Sequence, residues 1–370
     1  MDYTHPKRKT KVVFVQLGSP SEPTTKALRE YLRKFLSDPR VIDINPWLWK
    51  IILNCFVLPF RPKKSAKLYA RIWDGKSFPL ITNTRDFTKN VSEELKKIDP
   101  KGFVEVNHAF LLSPPYVDEV YDSWEEDLKK GVGATKLLVI PMFPQYSEST
   151  IASGIDALAK ELSKRVKIPT FEVITNFHRT HAFIDNSVEQ VDSKLKELNI
   201  QGKTIDSLII TFHGMQKRRI VNKGDDYYRH CYETFCLITK NLKYIKPEKC
   251  MMSFQSRFGS EEWITPYTED VVKNLISEGK KEIAIYSPSF VADCLETTDE
   301  LGHELVNEAK ELGGNIYPVE CLNTNKKWCR DFAKYTFTQA EGSAQDKEDL
   351  EYQLEKEYYQ RMPQQIMNKT

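Results

Sequence analysis

Paired cysteine motifs are missing from this 370-residue chain: its seven cysteines (Cys55, Cys231, Cys236, Cys250, Cys294, Cys321 and Cys329) are odd in number, scattered, and nowhere arranged as C-x-x-C. That argues against a disulfide frame or a structural zinc site and for reduced, cytosolic thiols. Dinucleotide and P-loop fingerprints are absent too. The turn Gly18-Ser-Pro20 has the spacing of neither, so no motif points to a nucleotide partner. A G-x-S-x-G elbow is lacking, which removes one large class of hydrolases. No excess of one charge exists: 54 Lys plus Arg stand against 52 Asp plus Glu. Nothing in that balance draws the whole chain onto nucleic acid or anionic lipid, and any such contact must be local. The N-terminal MDYTHPKRKTK is basic but has no apolar core before Val12, so no secretory signal is expected. One apolar run, Pro46 to Phe60, is shorter than the ~20 residues that span a bilayer and carries Lys50, so it cannot cross a membrane alone.

What is present is ordinary globular composition, 40% hydrophobic and 29% charged, in a length that suits about two domains. Lys11 to Leu17 is a β-branched apolar run ending at Gly18-Ser-Pro20, and Glu22 to Leu36 then carries apolar residues at helical spacing. The same strand, glycine turn and helix recur at Ser207–Phe212, His213-Gly214 and about 226–242. A second matching pair is the strand ending Pro141-Met-Phe143 and the strand ending Pro288-Ser-Phe290. The pattern predicts an α/β protein of two similar, doubly wound, Rossmann-like parallel-sheet domains, with ligand sites at the carboxyl ends of the strands. The expected division is 11–200 for the first half, including the apolar segment 46–60 as an insertion, and 201–335 for the second. A polar tail, part helical, is expected over 336–370.

His213 stands at the end of a buried-type strand, before a glycine that lets a ligand approach the backbone. A neutral imidazole there can take a proton or coordinate a metal. Glu296 and Glu300, four apart after the strand that ends near Pro288, share a helical face and can pass a cation or a proton along it. His178 and His181 form an i, i+3 pair without an accompanying Cys or carboxylate cluster, which favours a structural role over a zinc half-site.

The words that carry these residues resemble the ferrochelatase family. Leu17-Gly-Ser-Pro20, Phe35-Leu-Ser-Asp-Pro-Arg-Val41, Phe143-Pro-Gln-Tyr-Ser-Glu-Ser-Thr150, Phe212-His-Gly-Met215, Lys223-Gly-Asp225, Phe254-Gln-Ser-Arg-Phe-Gly259, Thr265-Pro-Tyr-Thr268 and Phe290-Val-Ala-Asp-Cys-Leu-Glu-Thr297 occur in family order over about 11–330. The resemblance implies two similar α/β halves around a porphyrin cleft, and insertion of ferrous iron into protoporphyrin IX to form haem, without a nucleotide cofactor. It makes His213 and Glu296 the catalytic pair and His213, Glu296 and Glu300 the metal-handling groups. The proton acceptor and the metal carrier among them stay undecided. Arg71, Tyr146 and Ser147 become porphyrin contacts, with Arg71 and Ser147 as anchors for the propionates. Trp47 and Trp49 become porphyrin contacts too, as part of an apolar lip that rests on a membrane surface, the alternative being a buried helix. The implied location is cytoplasmic and peripheral to the membrane, with no nucleic-acid partner.

Some family members carry a [2Fe–2S] cluster held by C-terminal cysteines. No cysteine follows Cys329, so no cluster is expected here. The chain also departs from the family pattern. Asn107-His-Ala-Phe-Leu-Leu-Ser113 stands where an Arg-Tyr pair is usual, Gln16 replaces an asparagine, Gln216 a proline and Arg219 a tyrosine. His108 is a candidate substitute for part of the missing pair. The wording Ala292-Asp-Cys-Leu-Glu-Thr297 favours the protoporphyrin branch. A coproporphyrin III chelatase and a catalytically impaired porphyrin- or haem-binding paralogue are the alternatives.

Overall fold

The computed structural model describes residues 9–129, 136–259, 261–341 and 351. Strand β1 (Thr10–Gln16) is buried along its whole length, as a run of β-branched residues is when helices cover both faces of a parallel sheet. β2 (Val104–Phe110), β3 (Lys136–Pro141) and β4 (Thr170–Val173) complete the order β2-β1-β3-β4, all neighbours parallel. The helix Thr25–Leu36 begins where the Thr24 hydroxyl accepts from the Ala27 amide, and buries Ala27, Leu28, Tyr31, Leu32 and Leu36. That is the apolar stripe its sequence spacing predicts.

A second sheet repeats the arrangement. β5 (Ser207–His213), β6 (Cys250–Gln255), β7 (Glu282–Tyr286) and β8 (Asn315–Pro318) run in the order β6-β5-β7-β8, again all parallel. Ile209, Ile283 and Ile285 pack against Val271, Val272, Leu275 and Leu305. Each such fully buried side chain contributes about 1.5–3 kcal/mol.

The two halves are related residue by residue. Phe110 is paired with Gln16, and Phe254 with Phe212. The Phe110 amide donates to the Pro115 carbonyl at 2.8 Å and the Phe254 amide to that of Pro266 at 2.9 Å. Bridges follow at Phe110–Tyr116 and Phe254–Tyr267. Hence Gln16 matches Phe212, Leu17 matches His213 and Gly18 matches Gly214. A sequence repeat marks this loop, Pro115-Tyr-Val-Asp-Glu-Val120 against Pro266-Tyr-Thr-Glu-Asp-Val271. The other expected match needs correction. Val139 pairs with Val13 and Ile285 with Ile209, which sets Pro141 opposite Ser287. The two Pro-x-Phe words are therefore one residue out of register, although their strands are equivalent.

The described residues divide into two compact units, one holding 9–143, 147–176 and 324–341 and the other 144–146, 177–323 and 351. Two boundaries differ from those expected. The helix His181–Ile200 packs on the helix Tyr227–Asn241 and so joins the second unit. The helix Lys326–Glu341 packs on the helix Pro79–Ile98 of the first, with Trp328 stacked on Phe87 and Phe332 tilted against it. Buried Thr336, Gln339 and Ala340 put the start of the expected polar tail inside that helix. The rest of the expected tail, 342–350 and 352–370, and most of the basic N-terminus lie outside the described residues. Among the described residues no helix is long and apolar enough to cross a membrane.

Candidate active site

In the second unit the candidate residues follow the ends of β5, β6 and β7. His213 is the last residue of β5. Its backbone amide donates to Ser289 Oγ at 3.1 Å, and its carbonyl accepts from the Tyr227 hydroxyl at 2.9 Å. Burial pushes the Tyr227 phenol well above its usual range, so it remains a donor. His213 Nδ1 lies 2.7 Å from the Gly214 carbonyl. A carbonyl only accepts, so the ring proton of the neutral imidazole sits on Nδ1 and Nε2 presents a lone pair. Gly214 has to be glycine: a Cβ there would stand 2.8 Å from the Gln255 carbonyl oxygen and 2.9 Å from the Trp263 ring.

Gln255 pairs with His213 across the sheet and connects it to the carboxylate row. Its side-chain amide donates to the Glu296 carbonyl at 3.2 Å and its Oε1 accepts from Ser287 at 3.2 Å. Glu296 and Glu300 lie on a π-helical segment, Glu296–Leu305, a widened helix of a kind often found at functional sites. Asp293 fixes the turn before it. Its carboxylate accepts from Thr297 Oγ1 at 2.9 Å and from Asn323 Nδ2 at 2.5 Å, while its amide donates to Asn323 Oδ1 at 2.8 Å.

Ser256, one residue past β6, adopts φ 64°. That turn aims its amide and its hydroxyl together at Glu300, at 2.8 and 2.6 Å. Burial raises the Glu300 carboxyl to about 7, opposed by the Ser256 hydrogen bonds and assisted by the charges of Glu296 and Glu269. Among the described residues, no three or more His, Cys, Asp or Glu side chains converge as a metal-holding group. The second unit thus offers a lone pair on His213 Nε2, a Glu300 carboxylate held by Ser256 and a Glu296 backbone held by Gln255.

The first unit presents a pocket of about 240 Å³ past the carboxyl ends of β1 and β2, lined by Ser19, Ser113, Lys34, Lys76, Trp73 and Tyr116 among others. Lys34 Nζ donates to the Tyr116 hydroxyl at 2.7 Å. Two ammonium groups beside aromatic rings suit an apolar group bearing a carboxylate. The sequence analysis missed this pocket, and it gave no role to Gln255 and Ser256 although it quoted both. The signal available for those two was their place directly after a strand.

The remaining sequence candidates are spread out. Arg71 is exposed at the last position of the helix Arg61–Arg71. Ser147 is buried, its hydroxyl 2.9 Å from that of Ser149, at the start of a π-helical turn over Glu148–Ala152. Tyr146 is half-buried in the second unit. The two tryptophans differ: Trp47 is 77% exposed, whereas the Trp49 indole donates to the Leu36 carbonyl at 2.6 Å and packs on Tyr31, Leu32 and Leu53. Trp49 is thus partly buried and ties the segment to the helix Thr25–Leu36. Leu48, Ile51, Phe56 and Phe60 of the same segment are exposed as well, while Leu53 and Leu58 are buried.

His178 and His181 go to different partners, Glu233 at 2.7 Å and Asp185 at 3.3 Å, and form no metal half-site. His108 is half-buried in contact with the ring of Phe110, and burial lowers its imidazole from the usual value. Ala109 and Phe110, in the stretch where an Arg-Tyr pair was expected, are fully buried in the first unit.

A family model described as Ferrochelatase matches residues 9–340. A protein of Idiomarina loihiensis named Ferrochelatase is 40% identical over 313 residues, 84% of this chain and 83% of its own length. One of Herminiimonas arsenicoxydans with the same name is 36% identical over 335 residues, 90% of this chain and 87% of its own. Among solved structures, SirB from Bacillus subtilis with Fe3+ superposes with a TM-score of 0.50 at 12% identity, covering 93% of this chain and all of that one. At that identity the likeness concerns the fold alone.

Proposed function

Because this chain belongs to the ferrochelatase family, lyases that insert iron into a porphyrin, we propose that its macrocycle is protoporphyrin IX and that His213 takes the two pyrrole protons in turn at Nε2, releasing the first to water before it accepts the second. The observation that carries this reading is the imidazole held by its backbone on both sides with Nδ1 bonded to Gly214, which leaves Nε2 as the acceptor. Insertion requires two pyrrole nitrogens to lose protons while Fe²⁺ exchanges water for nitrogen. Glu296 and Glu300, oxygen donors suited to a hydrated divalent ion, bring ferrous iron along the π-helical face toward that position. Arg71, Tyr146 and Ser147 are the porphyrin contacts of this reading, with Arg71 and Ser147 as anchors for the propionates. The site needs no cofactor besides the substrate iron.

The exposed group Trp47, Leu48, Ile51, Phe56 and Phe60 supports delivery from a membrane surface. So many large apolar side chains in one segment mark an interaction site. Protoporphyrin, with two vinyl groups and two propionates, partitions into lipid. Coproporphyrin, with four propionates, has less need of such a lip. The protein accordingly works in the cytoplasm, resting on the membrane.

Anaerobic turnover with Fe²⁺ and each of the two porphyrins tests this reading. Protoporphyrin should give the higher kcat/KM, and His213→Ala should lower kcat by about 10²-fold or more while porphyrin still binds. A preference for coproporphyrin would overturn the substrate assignment. More than about a tenth of wild-type kcat in His213→Ala, a barrier change below roughly 1.4 kcal/mol, would overturn the proton-acceptor assignment.

A further inference from the structure

Behind Tyr146 lies a group of buried titratable residues that the reaction does not use. His178 and His230 are stacked with ring centroids 4.0 Å apart and planes 20° apart. His178 Nε2 is 2.7 Å from Glu233 Oε2, with the Arg179 guanidinium 3.8 Å from the same oxygen and 2.9 Å from Glu351. His230 points its Nδ1 at the backbone of Tyr146, whose amide donates to it at 3.1 Å.

Two further contacts hold the segment. Gln145, almost wholly buried, donates through Nε2 to Thr234 Oγ1 at 3.0 Å and toward the Pro288 carbonyl at 3.4 Å. Phe177 donates its amide to the Pro144 carbonyl at 3.0 Å. The three residues from Pro144 to Tyr146 are thus hooked onto the helix Tyr227–Asn241 and its neighbours, although the chain on either side belongs to the other unit.

We propose that His230 is a positioning residue for porphyrin binding: by accepting the Tyr146 amide at Nδ1 it fixes where the Tyr146 side chain stands, and the His178–Glu233 pair holds its ring in place. This rests on the reading of Tyr146 as a porphyrin contact. The acceptor role requires the neutral tautomer with its proton on Nε2, because an imidazolium has no lone pair for an amide. Burial, with the neighbouring His178, lowers His230 to about 2, and burial also lowers His178. Glu233 raises both, and the charges of Arg179, with Arg229 for His230, lower them. The hook therefore stays made across the range in which the enzyme works, and a proton on either ring would set positive charge against its stacked neighbour.

The test compares KM for protoporphyrin, kcat and Tm in His230→Phe, His230→Asn and Tyr146→Ala. His230→Phe keeps the ring volume and the stack but has no acceptor, and should raise KM about fivefold with kcat within about twofold, the loss of roughly one hydrogen bond. His230→Asn has an acceptor oxygen near the Nδ1 position and should return KM to within about twofold of wild type even if its Tm falls for want of stacking. A normal KM in His230→Phe, or an equal rise in both variants, would show that the ring only packs and would overturn the proposal. Tyr146→Ala separates the two levels. A raised KM there beside a normal KM in His230→Phe sinks the positioning role alone, whereas an unchanged KM in Tyr146→Ala removes the porphyrin contact and the positioning role with it.

Discussion

Ser256 grips both carboxylate oxygens of Glu300, with its amide at 2.8 Å and its hydroxyl at 2.6 Å. Two donors on one carboxylate favour the ionised form, yet burial outweighs them and leaves the group titrating at about 7. Glu300 thus exchanges its proton near neutrality while held in one orientation, a property that suits the iron-carrying role proposed for it.

The pH dependence follows from the sign of that shift. The folded-state value lies above the unfolded one, so the folded protein holds the extra proton between the usual carboxylate range and about 7. The contribution to stability is fully present below that range and is lost as pH rises through about 7. Glu300→Gln should therefore gain stability relative to wild type on going from about pH 5 to about pH 8, measured by urea unfolding at each pH. Ferrous-iron KM in wild type should fall as pH rises through about 7, and Glu300→Gln should lack that inflection. A stability gain larger at the acid end contradicts the assignment.

For the apolar segment, Trp47 and Trp49 should behave differently when changed singly. Trp47→Ser should leave Tm within about two degrees of wild type, weaken association with liposomes and raise KM for porphyrin, since an exposed side chain contributes little to folding. Trp49→Ser should lower Tm by several degrees, because it removes the bond to the Leu36 carbonyl and opens a space against Tyr31 and Leu53. If Trp47→Ser is the unstable variant and keeps its lipid binding, the lip is a core element and the membrane contact is withdrawn.

Sequence reasoning reached the parts of this molecule whose signal is local. A β-branched run followed by glycine located β1 and β5 and set Leu17-Gly18 and His213-Gly214 at their ends. The i, i+4 spacing of Glu296 and Glu300 was legible, although the π-helical geometry that carries them was not. Trp47 and Trp49 were grouped as one lip, yet residues two apart on a helix face nearly opposite ways, so the sequence already contained the distinction. The Pro-x-Phe match failed by one position because a short word can slide along a strand and only the ladder fixes register. The stack of His178 on His230 joins residues far apart in the chain and has no local signature at all.

Iron–sulfur content is an independent check at the C-terminal end. Protein purified without oxygen should contain no stoichiometric acid-labile sulfide, and its visible absorption should come from bound porphyrin or haem alone. Sulfide at about two per chain would require cysteine ligands drawn from Cys55, Cys231, Cys236, Cys250, Cys294, Cys321 and Cys329, of which all but Cys55 and Cys250 are buried.

Leu17 and His213 occupy the same position in the two sheets, each half-buried between a buried strand and a glycine. The architecture is duplicated and the reactivity is not. A porphyrin is nearly symmetric and gives its four nitrogens no order of their own, so any direction in the reaction must come from the protein. With the role proposed for His213, one imidazole at one of two equivalent strand ends supplies it: the macrocycle's protons leave from one side, where the other half has a leucine.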